Sequence, residues 1–454
     1  MLDGRFTNAP HVHRARAILD SRAMARNPVE VFERYRTRLG ATFTVHFGGV
    51  KPAVVTSDPV VIEHVLRVNR NNYHKSHIQV ERMVEFQGKG LVNIHGEAWM
   101  RQRRLLAQGF KASHLTRLLP VQQDVLADLL RDFDEQARQG PVDVHHQMVR
   151  FTLRLVGRSI FGRSMRNEEL EQIGDTISAI QAFILKQIVQ PYRIPWFRVT
   201  GQTARHQRLR RDAEAIALRH IQARRAEGVG DTDLLRILLE TRYHDTAELM
   251  GEPLALLESL QLLVAGNETS SNALTWILYL LSRHPEHILA IRDEVASVIG
   301  NDAIDFAKLH RIEGTVRVID EALRLYPPFW MIDRIALGDD EVAGVHIPAG
   351  AMVIPYIYGT HRNPAHWDDV DTFDPRRFER DQLAARHPFA YIPFGGGPRV
   401  CLGANMALMQ MLLIVVTLVR RYDFSPANDA PVGIRPMMLL RPLGAVCMRF
   451  RAVS

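Results

Sequence analysis

The stretch Phe394–Gly403 reads Phe-Gly-Gly-Gly-Pro-Arg-Val-Cys-Leu-Gly and places Cys401 at the end of a glycine-rich loop. The residues from Ala404 to Val419 include no glycine or proline, so the loop is expected to lead into a helix N-terminus. Unpaired N–H groups and the positive end of the helix dipole stabilise a thiolate there. Cys401 is therefore a candidate metal ligand, and the glycines let a flat cofactor lie against the backbone.

Taken alone, this loop is equally consistent with an ordinary glycine-rich turn before a core helix. The spacing Phe-x-x-Gly-x-Arg-x-Cys-x-Gly, however, resembles the haem-binding loop of the cytochrome P-450 family of haem-thiolate monooxygenases. The resemblance implies haem b, iron protoporphyrin IX, with Cys401 as the axial ligand of its iron. It also places Phe394, Arg399 and Gly403 beside the haem.

The composition is typical of a globular protein. The chain has 454 residues, of which 46% are hydrophobic and 24% charged, enough for one large domain or a few smaller ones. Two cysteines exclude a disulfide framework or a cysteine-rich zinc site and favour a reducing compartment. The N-terminus lacks an apolar signal segment, and the apolar runs are shorter than the roughly 20 residues that span a bilayer. We therefore expect a soluble, cytoplasmic monomer of bacterial type without a membrane anchor.

The distribution of charged residues along the chain indicates whether the protein binds nucleic acid. The formal net charge is +7, but the basic residues are scattered along the chain. The densest clusters, 101–104 and 208–211, are typical of solvated helix faces. Nucleic acid is therefore not expected as a partner.

A second motif opens a predicted helix with the sequence His95-Gly-Glu-Ala-Trp99-Met-Arg-Gln-Arg103. Trp99 and Arg103 are four residues apart and share a face, which a cation–π pair on a surface helix would explain. Beside the cysteine loop, the motif resembles the helix with which the family binds the haem propionates, and this implies His95, Trp99 and Arg103 as donors. Arg334, at the start of a predicted strand, matches a further propionate arginine. Gln108 departs from a proline that is common in the family.

A third motif interrupts a predicted apolar helix from about Pro253 to Ser282. A mid-helix glycine costs about 1 kcal/mol relative to alanine, and a threonine can bend a helix by bonding to a preceding carbonyl. A solvated kink would explain the motif, but it resembles the family's oxygen-binding groove, where an acid and an alcohol relay protons. Asn267 stands where the family often has His or Asp. The residues that this resemblance assigns to the site are Ala265, Gly266, Glu268 and Thr269, the last two as catalytic residues.

A fourth motif places Glu321 and Arg324 three residues apart at the end of a helix that stops before Pro327. An ordinary intrahelical ion pair, worth a few tenths of a kcal/mol, is the simplest interpretation. The resemblance instead joins both residues with Arg377 in a buried network that stabilises the cysteine loop. These residues would then belong to the scaffold and not to the catalytic machinery.

The remaining elements follow from periodicity and turn residues. Strands are predicted at 41–47 and 52–56 around Gly48-Gly49, at 334–336 and 352–356, and as a pair at 437–440 and 445–450. Helices are predicted after Asp58-Pro59 and through most of 115–242, with a break at 190–195, and 73–90 is predicted to be an irregular functional loop.

The four motifs occur in the family's order, so the chain is identified as a member of the cytochrome P-450 family. The implied fold is mainly α with a smaller β-region, a single triangular-prism domain over 1–454 with haem between the long central helix and the cysteine loop. The β-rich part is expected at about 30–70, 330–392 and 430–452, and the helical part at about 95–327 and 401–422.

The resemblance implies a monooxygenase that inserts one oxygen atom of O2 into a hydrophobic small molecule: a fatty acid, terpenoid, steroid or polyketide. Electrons would come from NAD(P)H through a separate ferredoxin or flavodoxin with its reductase, docking near Arg101, Arg104 and the cysteine loop. The apolar side chains expected to line the substrate pocket are Phe183, Phe329, Trp330, Ile332 and Met438.

Two other functions remain open on the sequence. A peroxide-using haem-thiolate peroxygenase would usually carry an arginine in place of the Glu268–Thr269 pair. A non-catalytic haem sensor or carrier would need no proton relay.

Overall fold

A computed structural model describes residues 6–47, 51–227, 233–300, 302 and 304–453. The predicted turn at Gly48-Gly49 lies outside them. The chain forms two compact units. The first unit comprises Met1–Ser76, Glu313–Ala404 and Pro431–Gly444, and the second comprises His77–Ile312, Asn405–Ala430 and Ala445–Ser454. The single domain expected from the sequence stays a prediction.

Helices account for most of the described residues, and the strands are short. The α-helices are α1 Arg14–Leu19, α2 Ser21–Arg26, α3 Pro28–Leu39, α4 Pro59–Glu63, α5 Val84–Gln87, α6 Gly96–Leu106, α7 Ala112–Gln139, α8 Val144–Phe161, α9 Asn167–Val189, α10 Ile194–Val199, α11 Gln202–Glu227, α12 Leu234–Glu240, α13 Glu252–Arg283, α14 Pro285–Val298, α15 Phe306–Leu309, α16 Glu313–Leu325, α17 Ile357–Thr360, α18 Arg380–Ala385 and α19 Ala404–Arg421. The strands are β1 Thr42–Phe47, β2 Lys51–Thr56, β3 Tyr73–His74, β4 Val142–Asp143, β5 Arg334–Ala336, β6 Asp340–Val342, β7 Val345–Ile347, β8 Met352–Pro355, β9 Tyr422–Pro426, β10 Ile434–Pro436, β11 Leu440–Pro442 and β12 Cys447–Ala452. Two π-helical turns lie at His64–Val68 and Ile78–Met83.

The first unit is built on a five-stranded sheet with the order β1-β2-β8-β5-β3. The predicted hairpin is confirmed, because β1 and β2 pair antiparallel with Thr42 opposite Thr56. The strand β2 also pairs parallel with β8, with Ala53 opposite Met352. On one side of this sheet the ring of Phe32, on α3, meets the ring of Tyr356 edge-on at 5.3 Å. Burial of these apolar groups fixes the sheet register.

The second unit is mainly helical. The helices predicted through most of 115–242 are confirmed, among them α7, α8, α9 and α11, and the predicted break at 190–195 contains a short turn of 3-10 helix at Pro191–Arg193. The helices α8 and α13 pack closely, since a Cβ on Gly266 would lie 3.0 Å from the Val156 side chain. The helix α19 is long and apolar enough to cross a membrane, but 61% of it is buried in the protein, as in a core helix.

Two local predictions are wrong. The segment 73–90 is largely helical, with a π-turn running into α5, because apolar residues recur at Val80, Val84 and Phe86, and Phe86 is buried against Phe183. The predicted strand at 437–440 is mostly a turn: Met437 N–H donates to the Leu439 carbonyl at 2.9 Å. This turn joins β10 to β11, and β12 pairs instead with β9 and β4.

Candidate active site

The cysteine loop ends at Gly403, directly before α19 begins. Its form depends on Gly397, whose φ of +66° lies in the left-handed region that favours glycine. A Cβ on Gly397 would lie 2.1 Å from the Leu66 carbonyl oxygen, so this position has no room for a side chain. The Cys401 N–H donates to the Phe394 carbonyl at 2.9 Å, which closes the loop and leaves the Cys401 residue exposed. The thiol is therefore presented on a fixed backbone, as a metal ligand requires.

Three cationic side chains from separate segments gather in the same unit. Arg334, on β5, is only 8% exposed, and burial lowers the pKa of its guanidinium. Burial, followed by the charges of Arg399 and Arg334, lowers the pKa of Lys75 to about 7. The acid in this group is Asp333, whose Oδ2 accepts a hydrogen bond from Ser76 Oγ at 2.5 Å. We call Lys75, Arg334 and Arg399 the cation cluster.

The charge of the cation cluster indicates whether these residues fit a haem. The three cations repel one another, and after burial the charges of Arg399 and Arg334 contribute to the lowered pKa of Lys75. A group that brings carboxylates would offset this repulsion, and the two propionates of haem are such carboxylates. Arg399 is two residues from Cys401 in the chain, so the cations and the thiol belong to one local structure. The residues present therefore fit a cysteine-ligated haem.

The predicted charge network is brought together in the first unit. Arg324 and Glu321 are fully buried and form two parallel hydrogen bonds of 2.7 Å. Arg377 Nε lies 3.5 Å from Glu321 Oε1. The Arg324 guanidinium also donates to the carbonyls of His361 and Val370, at 2.9 and 2.7 Å. One guanidinium thus fixes both the helix α16 and the chain that follows α17.

His361 is a structural residue that sequence reasoning missed. Its Nε2 accepts the Ile392 N–H at 2.9 Å, so the proton lies on Nδ1, which donates to the Arg324 carbonyl at 3.2 Å. Complete burial lowers the pKa of His361 to about 3 and keeps the ring neutral. Ile392 lies two residues before Phe394, so His361 connects the charge network to the start of the cysteine loop. A single histidine after a short apolar helix gives no sequence signal for this contact.

The motif at 95–103 lies in the second unit. His95 is the N-cap residue of α6, which confirms the predicted helix start, and α6 ends at Leu106 before Gln108. The Arg103 guanidinium lies 5.5 Å from the Trp99 ring centre, so the predicted pair forms on one face of α6. Both side chains are partly exposed. The helix α6 thus presents an indole and a guanidinium side by side, the donor types that carboxylates bind.

The segment 265–269 lies within an unbroken α13. The Thr269 hydroxyl donates to the Ala265 carbonyl at 2.7 Å, as the sequence predicted for a mid-helix threonine. Asn267 faces a different side: it is 7% exposed, and its Oδ1 accepts a hydrogen bond of 2.7 Å from Thr152 on α8. Asn267 therefore links two helices, whereas the side chains of Glu268 and Thr269 are only partly buried.

Two further polar residues of α13 hold the chain that precedes α6. Glu258 Oε1 accepts the Leu91 N–H at 2.8 Å, and Gln261 Nε2 donates to the Gln87 carbonyl at 3.1 Å. Burial raises the pKa of Glu258 to about 7, against the opposing effect of the Leu91 bond. Sequence reasoning missed both residues, because they look like ordinary polar positions of an amphipathic helix.

The predicted pocket residues occupy different settings. Phe183 is buried against Phe86 and Phe197 in the second unit. Trp330 is 3% exposed and lies in the core of the first unit, with its indole N–H donating to the Met437 carbonyl at 2.9 Å. Phe329 is 44% exposed, and the partly buried remainder of this set is Ile332 and Met438. Trp330 thus serves the core of the fold, and its place in the substrate pocket stays a prediction.

Comparisons with known proteins agree with this geometry. The sequence model of the family described as Cytochrome P450 matches residues 16–447. Cytochrome P450 734A5 of Oryza sativa subsp. japonica is 30% identical over 93% of this chain and 81% of its own length. Cyclooctatin synthase of Streptomyces melanosporofaciens is 28% identical over 86% and 85%. A crystal structure of the cytochrome P450DA heme domain superposes with a TM-score of 0.85 at 23% identity, covering 94% of this chain and 93% of the other.

The superposition confirms the fold class, mainly helical with small sheets. A cysteine-ligated haem b is the cofactor that this family implies. The chain therefore belongs to the cytochrome P450 family and is a haem-thiolate monooxygenase, an oxidoreductase.

Proposed function

We propose that the protein uses O2 and electrons from a separate redox protein to insert one oxygen atom into a hydrophobic small molecule in the cytoplasm. The observation that carries this proposal is the cation cluster beside the Cys401 loop, which suits a group with carboxylates and a ligated metal. When bound, the haem supplies the activation of dioxygen and the transfer of one oxygen atom. The protein's own residues supply position, protons and a dry surface.

Haem binding is assigned to residues from several chain segments. Cys401 would ligate the iron as a thiolate, and the cation cluster of Lys75, Arg334 and Arg399 would bind propionate. His95, Trp99 and Arg103, at the start of and along α6, would supply further donors. Lys75 is an addition to the set predicted from the sequence, supported by its place beside Arg399 and Arg334, whose charges add to burial in lowering its pKa.

Proton delivery is assigned to α13. The Thr269 hydroxyl can exchange its hydrogen bond to the Ala265 carbonyl for one to a water molecule and pass a proton to it, and the Glu268 carboxyl can resupply that proton. Asn267 takes no part, because its side chain is bonded to Thr152. The pair Glu268–Thr269 favours this relay over a peroxygenase, in which an arginine would be expected.

The electron donor is proposed to be an acidic ferredoxin or flavodoxin. Arg101 is a weak candidate for steering it, because its guanidinium is already held by Asp245 at 2.9 Å and lies 3.8 Å from the Tyr243 ring centre. Arg104, exposed on the same helix, is the better candidate. Charge reversal at Arg104 should slow reduction at low salt, and an unchanged salt dependence of the reduction rate would refute its role.

The first test is the difference spectrum of the reduced protein with carbon monoxide, for the wild type and Cys401→Ala. A strongly red-shifted Soret band that is lost in the variant supports thiolate ligation, and a band typical of histidine-ligated haem contradicts it. The second test measures product and hydrogen peroxide per electron consumed. Thr269→Ala should divert electrons to peroxide with haem retained, whereas Thr275→Ala, a matched change farther along α13, should not.

A haem sensor or carrier would bind haem but consume no reducing equivalents with any substrate. The same measurement of electron consumption therefore separates it from the proposed enzyme.

A further inference from the structure

A pocket within the second unit is enclosed by α5, α9, α11 and α13, and its walls are mainly hydrocarbon. Along α13 the lining runs from Leu257 to Val264, about 10 Å at a helical rise of about 1.5 Å per residue. Val264 directly precedes the Ala265–Thr269 segment. A hydrocarbon chain lying along this wall therefore extends toward the proposed proton relay. The apolar lining includes Phe86, Ile177, Ile180, Leu257, Leu260 and Val264.

One ion pair interrupts this apolar wall. Among the described lining residues, Arg210 is the one cation and Glu214 the one acid. Arg210 Nε donates to Glu214 Oε1 at 2.7 Å, and Nη1 donates to the Glu85 carbonyl at 3.4 Å. In the described part of the chain, these two hydrogen bonds use Nε and Nη1 of the guanidinium. A guanidinium has five N–H donors, and the Arg210 side chain is 31% exposed, so donors are left that can bind a carboxylate.

The chain segment that leads to Arg210 is rich in basic residues. Between Thr176 and Arg211 the sequence contains seven lysine and arginine residues and no aspartate or glutamate. This segment includes Arg210 and part of the wall that α9 contributes to the pocket, and it is flanked by Asp175, Asp212 and Glu214. A positive field at an apolar cleft concentrates anions near it. The pocket thus combines a hydrocarbon interior with attraction for one negative charge.

A simpler explanation is that Arg210 and Glu214 are an ordinary helix-stabilising pair four residues apart. Such pairs are more favourable when the acid lies on the N-terminal side, and here the order is reversed. Helix stabilisation also does not account for the position of both side chains in a pocket wall. Nor does it account for the bond from Arg210 to Glu85, which lies on α5. The pair is better explained by a role in the pocket.

We propose that Arg210 binds the carboxylate of an elongated apolar acid, so that the substrate class is a hydrophobic carboxylic acid. This inference rests on the proposed function, since it names the substrate class of the same enzyme. Glu214 competes with the carboxylate of the bound acid for the Arg210 guanidinium and also repels that carboxylate. It therefore limits the affinity of the pocket for the acid. A neutral molecule of the same shape gains the apolar contacts but not the charge-assisted hydrogen bond.

The test is isothermal titration calorimetry of the haem-loaded protein with dodecanoate and dodecan-1-ol, two probes with the same hydrocarbon chain. The wild type should bind the acid about tenfold more tightly than the alcohol, which is typical of one charge-assisted hydrogen bond. Arg210→Gln should abolish this ratio, and Glu214→Gln should raise it. Arg211→Gln, which removes an exposed cation next in the chain, should leave the ratio unchanged. Urea midpoints of all variants establish that each is folded.

Equal affinity for the two probes, no binding of either, or a ratio that persists in Arg210→Gln would overturn the inference. These results are separable from failure of the proposed function. Oxygenation of a neutral hydrophobic molecule by a protein that shows no preference for dodecanoate would support the function and reject this substrate class. Binding of dodecanoate through Arg210 by a protein without a thiolate-ligated haem would do the reverse.

Discussion

The buried histidine of the first unit makes its stability depend on pH in a calculable way. Burial lowers the pKa of His361 to about 3, against 6.5 for an unperturbed histidine. Between these values the unfolded chain binds a proton that the folded protein does not bind. The stability that His361 contributes is therefore fully present above pH 6.5 and is lost as the pH falls toward 3.

The size of the effect follows from the two pKa values. A shift of one unit corresponds to about 1.36 kcal/mol, so lowering the pH from 7 to about 4.5 should cost about 2.5 kcal/mol. That is a large share of the roughly 5–15 kcal/mol that stabilises a typical domain. His361→Gln keeps an amide oxygen for the Ile392 N–H but cannot titrate. We expect the variant to be less stable than the wild type by about 1 kcal/mol at neutral pH and at least as stable at pH 4.5.

The assay is urea unfolding of the haem-loaded protein, followed by far-ultraviolet circular dichroism at several pH values between 7.5 and 4.5. The difference between wild type and His361→Gln isolates this histidine from every other titrating group. His310→Gln removes an exposed histidine and is the matched control. A wild-type-minus-variant difference that stays constant with pH would refute the assignment of a neutral, buried, hydrogen-bonded ring.

Three other substitutions test the geometry. Gly397→Ala should lower haem occupancy and the thermal midpoint, because its Cβ would collide with the Leu66 carbonyl; normal haem content would show that the loop can shift. The raised pKa of Glu258 favours the protonated acid in the folded state, so the wild type should lose about 3 kcal/mol of stability as the pH rises from 4.5 through 7. Glu258→Gln should not show this loss, because the amide does not titrate and its oxygen still accepts the Leu91 N–H. Parallel plots of unfolding free energy against pH for the two proteins would contradict this. Glu321→Gln should cost about 3–5 kcal/mol by leaving a buried guanidinium underpaired, and a loss under 1 kcal/mol in urea unfolding would exclude that role.

The sequence predicted those parts of the site in which a residue's role depends on its near neighbours. The threonine at 269 and the pair Glu321–Arg324 have local signatures, and the structure gives each the contact expected of it. Helix ends marked by proline, such as the end of α16, were also predictable for the same reason. At Gly397 the clash that excludes a side chain is with the Leu66 carbonyl, a contact that the sequence did not predict.

The sequence could not predict contacts that depend on distant chain segments. His361 meets Ile392, and Glu258 meets Leu91, across large sequence separations, and neither pair has a characteristic spacing. The segment 73–90 was misread because two glycines and several polar residues suggested a loop. Its apolar positions were recognisable only by their packing against α9. Tertiary burial decided these cases over local composition.

The division of the first unit into three chain segments has a consequence for synthesis. Strand β2, made early, finds its parallel neighbour β8 only after some 300 further residues, as the pairing of Ala53 with Met352 requires. The long continuous segment His77–Ile312 can meanwhile form its helices as it leaves the ribosome. Until β8 has been synthesised, β2 is therefore an unpaired strand edge that can pair with other chains. The yield of folded enzyme then depends on chaperones and on the concentration of nascent chains.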